Sequence, residues 1–456
     1  MKRLLSRAAP FLPALVLFTM GLIGYDLKTA EQLRIARRDP LVTLTPAQAV
    51  RLYYSKEQDD SLYYEYASLM AGGGPPHTTR YAPWINLYRP VEAGRPAFPY
   101  RDFHAEYPPL AFLALLPPRL GSPSPKRYHR LFALEIALFL TLAVTLAVRI
   151  RQRQGDPVSW ARISTYAACA GFLIGPLIIQ RYDLVPAVIM LAAYAALSRG
   201  DHSRAGIWIA AGGATKIYPL IAWPLPVLLA WQQHGWKSAL RVALTATATL
   251  LFCAALPWLL SPAGFLDMFR HHTGRGLEIE SLYSVALQIW NWFHPGFLTW
   301  VSRSMSDTVV GGPSAILARL SLPVMILTLL GVLAVCWRRR QTSASDPFWL
   351  WACMVLTLTF VILSPIASPQ FVIWFLPLVL AAPHAAGHRA RVAFLIYAAA
   401  TQLQFDGTYH LMHRLHPVAT LALILRWGAC AFFAWISCLA FLTPTSLKLR
   451  NPPQLH

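Results

Sequence analysis

The sequence is poor in charged residues, and above all in acidic ones. Only 13% of its 456 residues are charged, with 20 Asp and Glu against 40 Lys and Arg, while 56% are hydrophobic. Soluble domains carry about a quarter charged residues, so this composition excludes an ordinary soluble fold. The apolar residues come in runs of about 15 to 25, the length at which a helix crosses a hydrocarbon core of about 30 Å.

Cysteine is scarce as well. The six cysteines lie in or at the ends of apolar segments, and the sequence has neither a CxxC pair nor an HExxH motif. This pattern indicates buried apolar side chains and argues against a disulfide framework or a metal site. We therefore expect no metal ligands and no cofactor, while the sequence leaves a metal requirement of the reaction open.

The net charge of +20 is divided among short basic clusters at the ends of apolar runs. These clusters are Lys2-Arg3, Arg149/Arg151/Arg153, Arg199/Arg204, Lys237/Arg241, Arg338-Arg339-Arg340, Arg389/Arg391 and Lys448/Arg450. They fall at every other crossing, as the positive-inside rule requires, and they predict that both termini are cytoplasmic. A basic soluble domain is lacking, so we expect membrane lipids and no nucleic acid among the partners.

The apolar runs predict an all-α polytopic membrane protein with about twelve transmembrane helices. A single domain over 1–456 would begin with an uncleaved helix at 10–25, followed by a large outer loop at 26–107 and the rest of the bundle at 108–442. Interfacial helices are expected at 108–117 and 282–293. Further spans are predicted at 130–148, 160–179, 184–198, 205–231, 239–260, 315–336, 347–364, 370–386, 391–404 and 417–442. Residues 215–219 would break one span inside the membrane, where irregular backbone lines a cavity.

The polar loops converge on the predicted outer face, where nucleotide sugars are not available. A glycosyl transfer there would take its sugar from a lipid. It would need a carboxylate as general base, cations for the leaving phosphate and an apolar groove for the lipid tail. Asp59 and Asp60 are the candidate bases; the alternatives are a solvated acidic face or a helix N-cap.

Four residues are the candidates for binding the donor phosphate: Arg275 between two glycines, Lys216 at the predicted break, Arg270 and His272. The alternatives are interfacial cations for the last two and snorkelling for Lys216. Arg181 and Asp183 could simply pair with each other, and Arg426 needs a buried partner that the sequence does not name. The candidate cavity residues are Tyr63, His104, Glu106, Tyr107, Arg181, Asp183, Glu280 and Gln370.

Six motifs, in this order, resemble the GT-C superfamily of membrane glycosyltransferases. They are DDSLYYEYA (59–67), PYRDFHAEYPPL (99–110), RYDLVP (181–186), TKIYPL (215–220), RGLEIES (275–281) and SPQF (368–371) before Trp374. The chain is most similar to glycosyltransferase family 87, which includes mannosyltransferases that use polyprenyl-phosphate mannose.

This resemblance implies a GT-C fold, an inverting displacement and a base at Asp59 or Asp60, with the spacing to Tyr63 and Ala67 favouring Asp59. Glu106, Lys216, Arg275 and Gln370 would line the cavity. Two features depart from the family pattern: a basic, Pro-rich stretch at 72–98, and an acidic doublet where one Asp is expected.

The predicted function is transfer of a hexose, with mannose the first choice, from a polyprenyl-phosphate donor to a lipid or glycan acceptor. The reaction would take place on the extracytoplasmic face of the bacterial plasma membrane. The alternatives are a transporter or flippase of lipid-linked sugars, a polymerase or ligase of envelope polysaccharide, and a non-catalytic scaffold. A transporter would show internal pseudo-symmetry and midplane charges, and a scaffold would tolerate replacement of Asp59 and Asp60.

Overall fold

The computed structural model describes residues 59–443 except 75–84, 157, 274, 304–305 and 340–342, together with six single positions between 11 and 19. Most of the predicted first helix at 10–25 falls outside these residues, as does much of the predicted loop at 26–107.

Helices dominate the described part of the chain. The first eight are α1 (Asp59–Met70), α2 (Ala111–Gly121), α3 (Pro125–Arg153), α4 (Trp160–Ile174), α5 (Leu177–Gln180), α6 (Leu184–Leu197), α7 (His202–Thr215) and α8 (Pro224–His234). The others are α9 (Trp236–Leu260), α10 (Pro262–Thr273), α11 (Leu282–Phe293), α12 (Ser314–Arg338), α13 (Phe348–Leu363), α14 (Leu376–Ala381), α15 (His384–Gln402), α16 (Thr408–Met412) and α17 (Pro417–Leu442). Two 3-10 segments (Tyr218–Ala222 and Pro369–Phe375) and one π segment (Leu403–Gly407) interrupt them.

Four of these helices, α3, α9, α12 and α17, are long and apolar enough to cross a membrane. Together with the shorter apolar helices they make the chain a multi-pass membrane protein. α3 shows the local signals clearly: Pro125 stands in its first turn, and Arg151 and Arg153 lie in its last turn, where they complement the helix dipole. The count of about twelve spans stays a prediction, because α6, α13 and other apolar helices fall below the length of a full span.

Burial separates a central group of helices from a peripheral one. α6 and α13 are buried on nearly all sides, as is the 3-10 segment Pro369–Phe375. In α9 and α12, by contrast, only 17% and 11% of the apolar 18-residue stretch of each helix is buried inside the protein, and Phe252 on α9 is 82% exposed. Helices that are apolar all round belong in a core or in lipid. The peripheral pair therefore meets the membrane, and the central helices carry the core.

The predicted break at 215–219 is confirmed. α7 ends at Thr215, Lys216 is extended (φ −155°, ψ 135°), and the 3-10 segment begins at Tyr218. The chain folds back tightly here, because a Cβ on Gly213 would come within 2.4 Å of Leu220. Only glycine allows that approach. As a result, Lys216 lies at the turn between α7 and α8.

The structure adds two details to the predicted helical fold. A small antiparallel sheet that was not predicted accompanies the helices, and its strands β1 (Leu277–Glu278), β2 (Thr299–Arg303) and β3 (Ser306–Val310) lie in the order β1-β3-β2. The predicted span at 160–179 is split, because α4 ends at Ile174 and Gly175 has a positive φ of 66° before Pro176. The Gly-Pro pair was the local signal for this break.

Candidate functional site

A buried carboxylate forms the first part of a polar centre beside the bundle. Glu106 is only 4% exposed, and its Oε2 lies 2.9 Å from Nε2 of His271 and 3.7 Å from the guanidinium of Arg275. Burial by itself would raise the pKa of Glu106. The close contact with His271 and the charge of Arg275 outweigh burial and hold the pKa of Glu106 at about 2. A group this acidic is a poor general base, since an efficient base has a pKa near the working pH.

Glu106→Gln is expected to change how stability depends on pH. Because folding lowers the pKa of Glu106, its contribution is fully present above about pH 4.5 and is lost as pH falls through 2. The variant should therefore melt at a lower temperature than wild type at pH 7, and the difference should shrink as the pH is lowered to 3. Melting temperatures of the purified protein in detergent measure this, and a difference that stays constant with pH would contradict it.

A second ion pair lies at the break after α7. The ammonium of Lys216 is 2.6 Å from Oδ1 of Asp183, and the indole N–H of Trp374 donates to the same oxygen at 2.6 Å. The side chain of Asp183 is fully buried, whereas that of Lys216 is 18% exposed. Asp183 therefore pairs with Lys216, and the charge of Arg181, the partner considered from the sequence, also acts on it. The ammonium binds this carboxylate in place of snorkelling.

Three tyrosines connect these two groups. The rings of Tyr63, Tyr107 and Tyr182 pack edge to face, with centroids 5.3–5.7 Å apart. They come from α1, from the residue after Glu106 and from the residue before Asp183, and Lys216 lies over the Tyr182 ring at 5.1 Å. The predicted cavity residues Tyr63 and Tyr107 are thus brought together with both ion pairs.

The backbone of α1 relates the acidic pair, Asp59 and Asp60, to these tyrosines. This helix begins at Asp59, one turn before Tyr63, and a turn of α-helix rises about 5.4 Å. The start of α1 therefore lies near the tyrosine cluster. The side chains of Asp59 and Asp60 lie outside the described residues, so their role as base stays a prediction.

A third ion pair joins distant segments. Arg426, fully buried in α17, lies 3.4 Å from Oε1 of Glu280 and 3.2 Å from Oε1 of Gln404. It also donates to the carbonyl oxygen of Ala367 at 2.8 Å. Burial raises the pKa of Glu280, although the charge of Arg426 opposes the shift. Glu280 is thus the partner that Arg426 requires.

Arg181 connects the third pair to the others. Its guanidinium interacts electrostatically with Asp183, Glu280 and Tyr409, and burial lowers its pKa to about 10, so it stays charged at pH 7. Lys216 likewise interacts with Glu106, and Glu278 with Arg275. The three ion pairs therefore belong to one polar centre.

The other predicted site residues lie around this centre. Nδ1 of His104 is 3.0 Å from Oδ2 of Asp267, which also accepts from the hydroxyl of Tyr88 at 2.7 Å. Nε2 of His272 lies 3.2 Å from the main-chain oxygen of Glu106. Burial and the charge of Arg275 lower the pKa of His272 to about 4, so it is neutral at pH 7.

Two further candidates sit less centrally. Arg270 is exposed on α10, and Gln370 is half-buried in the 3-10 segment Pro369–Phe375. The phosphate-binding role of Arg270 and the cavity role of Gln370 stay predictions.

The structural roles of Trp374, Asp267 and Tyr88 were missed from the sequence. Trp374 is 191 residues from Asp183, and Asp267 is 163 residues from His104. No local spacing connects residues this far apart. Only the SPQF motif at 368–371 pointed to the segment that contains Trp374.

Comparison with known proteins gives one strong match. Residues 103–369, more than half of the chain, match the profile of glycosyltransferase family 87. The matched range includes Glu106, Asp183, Lys216, Arg275 and Glu280 but begins after the acidic pair. A search of curated proteins returned no match.

Among solved structures, the chain is distantly similar to the crystal structure of ArnT from Cupriavidus metallidurans bound to undecaprenyl phosphate. The identity is 13% and the TM-score is 0.41, over 85% of this chain and 75% of that one.

Proposed function

The chain belongs to glycosyltransferase family 87, and on that premise we propose that it is a membrane hexosyltransferase of the GT-C type. It moves one hexose, with mannose as first choice, from a polyprenyl-phosphate donor to a lipid or glycan acceptor. The reaction takes place at the outer face of the bacterial plasma membrane and inverts the anomeric centre. The observation that supports this best is the polar centre, where Arg181, Lys216 and Arg275 lie among buried carboxylates and tyrosines.

The proposed step is a single displacement. The carboxylate of Asp59 or Asp60 takes the proton of the acceptor hydroxyl as its oxygen attacks the anomeric carbon. The bond between that carbon and the donor phosphate breaks, and its electron pair stays on the lipid phosphate. Cations that hold this phosphate stabilise the developing charge. Lys216 and Arg275 suit that role, because both are partly exposed beside buried groups.

The protein supplies no electron-transfer chemistry in this scheme, and the lipid-linked sugar is a substrate. We therefore propose that no cofactor is needed. Among the residues that the structure describes, no cluster of three or more His, Cys, Asp and Glu is arranged to hold a metal ion.

The test is a membrane assay with radiolabelled polyprenyl-phosphate mannose, in which label is followed into lipid and glycan products. Product formation that requires this protein supports the transferase. Movement of intact lipid-linked sugar across the membrane, without transfer, would favour a flippase. Growth of a polymer from one primer would favour a polymerase.

Arg275→Met is expected to lower kcat/KM for the donor by about 10- to 100-fold, since a hydrogen bond to a charged group contributes about 1.5–3 kcal/mol. Most of the change should appear in the donor KM if Arg275 contacts the phosphate before transfer. Arg95→Met is the matched control, because the side chain of Arg95 is 80% exposed and pairs with the exposed carboxylate of Glu92. Equal effects of the two variants would rule out a phosphate role for Arg275.

A further inference from the structure

The cations of the polar centre share one feature: each has a buried carboxylate beside it. Lys216 is 2.6 Å from Asp183, Arg275 is 3.7 Å from Glu106, and Arg426 is 3.4 Å from Glu280. Asp183, Glu106 and Glu280 have side-chain exposures of 0%, 5% and 4%. A site built only to attract phosphate would leave its cations unopposed, so these carboxylates limit the positive charge that a ligand meets.

We propose that Asp183 and Glu106 make this site select a phosphodiester, which carries one negative charge, over a phosphomonoester dianion. The proposal rests on the function proposed above. There, the donor is a phosphodiester between sugar and lipid, and the lipid product is a phosphomonoester. The two carboxylates would therefore favour donor binding and speed the release of the lipid phosphate.

The sign of the effect follows from Coulomb's law. A phosphate oxygen that binds the ammonium of Lys216 lies about 2.8 Å from it, and the carboxylate lies 2.6 Å away on the other side. The ligand charge and the Asp183 charge are then about 5 Å apart, where like charges repel strongly in a buried site. Because the second pKa of a phosphomonoester is about 6, its second charge is present at pH 8. The carboxylate of Asp183 therefore repels two charges on the phosphomonoester and only one on the phosphodiester.

The environment of Asp183 keeps this repulsion strong. Its Oδ1 accepts both hydrogen bonds that the carboxylate receives, and Oδ2 has no hydrogen-bond partner among the described residues. Full burial also limits screening by salt. Both hydrogen bonds to the carboxylate thus come from the side of Lys216 and Trp374, and its charge can act on a ligand held at Lys216.

The experiment compares two lipids that differ in one charge: undecaprenyl phosphate and its methyl phosphodiester. Dissociation constants are measured at pH 8 with the purified full-length protein in nanodiscs. We expect Asp183→Asn to strengthen the binding of undecaprenyl phosphate, relative to that of the diester, by tenfold or more. Glu106→Gln should shift it in the same direction, and it serves as the second variant if Asp183→Asn does not fold. Trp374→Phe is the matched control, because it removes a hydrogen bond to Asp183 but no charge, and should leave the ratio within twofold.

The ratio separates charge selection from a structural role, since a loosened site weakens both lipids alike. An unchanged ratio in both carboxylate variants, or a shift toward the diester, would overturn the proposal. So would an equal shift in Trp374→Phe. If wild type binds both lipids and the variants shift the ratio as expected, but wild type transfers no sugar, the proposed function fails and the charge selection stands. If wild type binds neither lipid, both fail.

Discussion

Replacing the proposed catalytic carboxylate at the start of α1 by Asn is expected to lower kcat by about 100- to 10,000-fold, the contribution of a positioned general base. Of the two candidates, Asp59→Asn is expected to show the loss, because the family resemblance favours Asp59. Asp60→Asn should change kcat by only a few fold. The rate of sugar transfer from polyprenyl-phosphate mannose at saturating donor measures this directly. The side-chain shape is kept, so a loss of rate reports the missing proton acceptor.

Asp201→Asn is the matched control for a carboxylate at a helix start. Asp201 caps α7 by accepting from the backbone N–H of Arg204 at 3.0 Å. Asn caps a helix about as well as Asp, so this replacement should leave both stability and kcat nearly unchanged. If Asp59 and Asp60 were only helix-start residues, their variants would behave like this control. A double Asp59→Asn/Asp60→Asn protein with kcat within threefold of wild type would remove both residues as the base.

Replacing Arg426 by Met is expected to destabilise the protein by about 3–5 kcal/mol, the range for breaking a buried ion pair by removing one partner. Arg426 is fully buried, and its loss leaves Glu280, Gln404 and the carbonyl oxygen of Ala367 without their shared donor. Ala367 belongs to the loop before the segment that carries Trp374. The melting temperature should therefore fall by about 10 °C, with lower activity at temperatures where wild type is stable.

Glu280→Gln is the informative partner variant. Burial raises the pKa of Glu280 above its usual value, although the charge of Arg426 opposes the shift. The folded state therefore holds the proton of Glu280 more tightly than the unfolded state, and wild type loses stability as the pH rises above about 4.5. Gln resembles the protonated acid. The variant should match wild type near pH 5 and lack this decline toward pH 8, and a variant as unstable as Arg426→Met would contradict this.

The sequence predicted several features of the site because they have local causes. Thr215-Lys216-Ile217-Tyr218-Pro219 predicted the break after α7, since proline does not continue a helix, and the structure confirms it. The six motifs between Asp59 and Trp374 predicted the family, and the family match over residues 103–369 confirms it. The three-stranded sheet was not anticipated, because β1 has two residues and its pairing with β3 depends on strands about thirty positions away.

What the amino-acid sequence determined by itself is the class of protein: long apolar stretches enter a membrane because hydropathy and helix length are properties of neighbouring residues. The tertiary structure decided which charges meet. Asp183 lies two residues after Arg181 in the sequence, yet it binds Lys216, which is 33 residues away. Arg426 binds Glu280, which is 146 residues away. Buried charges require an opposite charge nearby, and the packing of helices decides which one lies within reach.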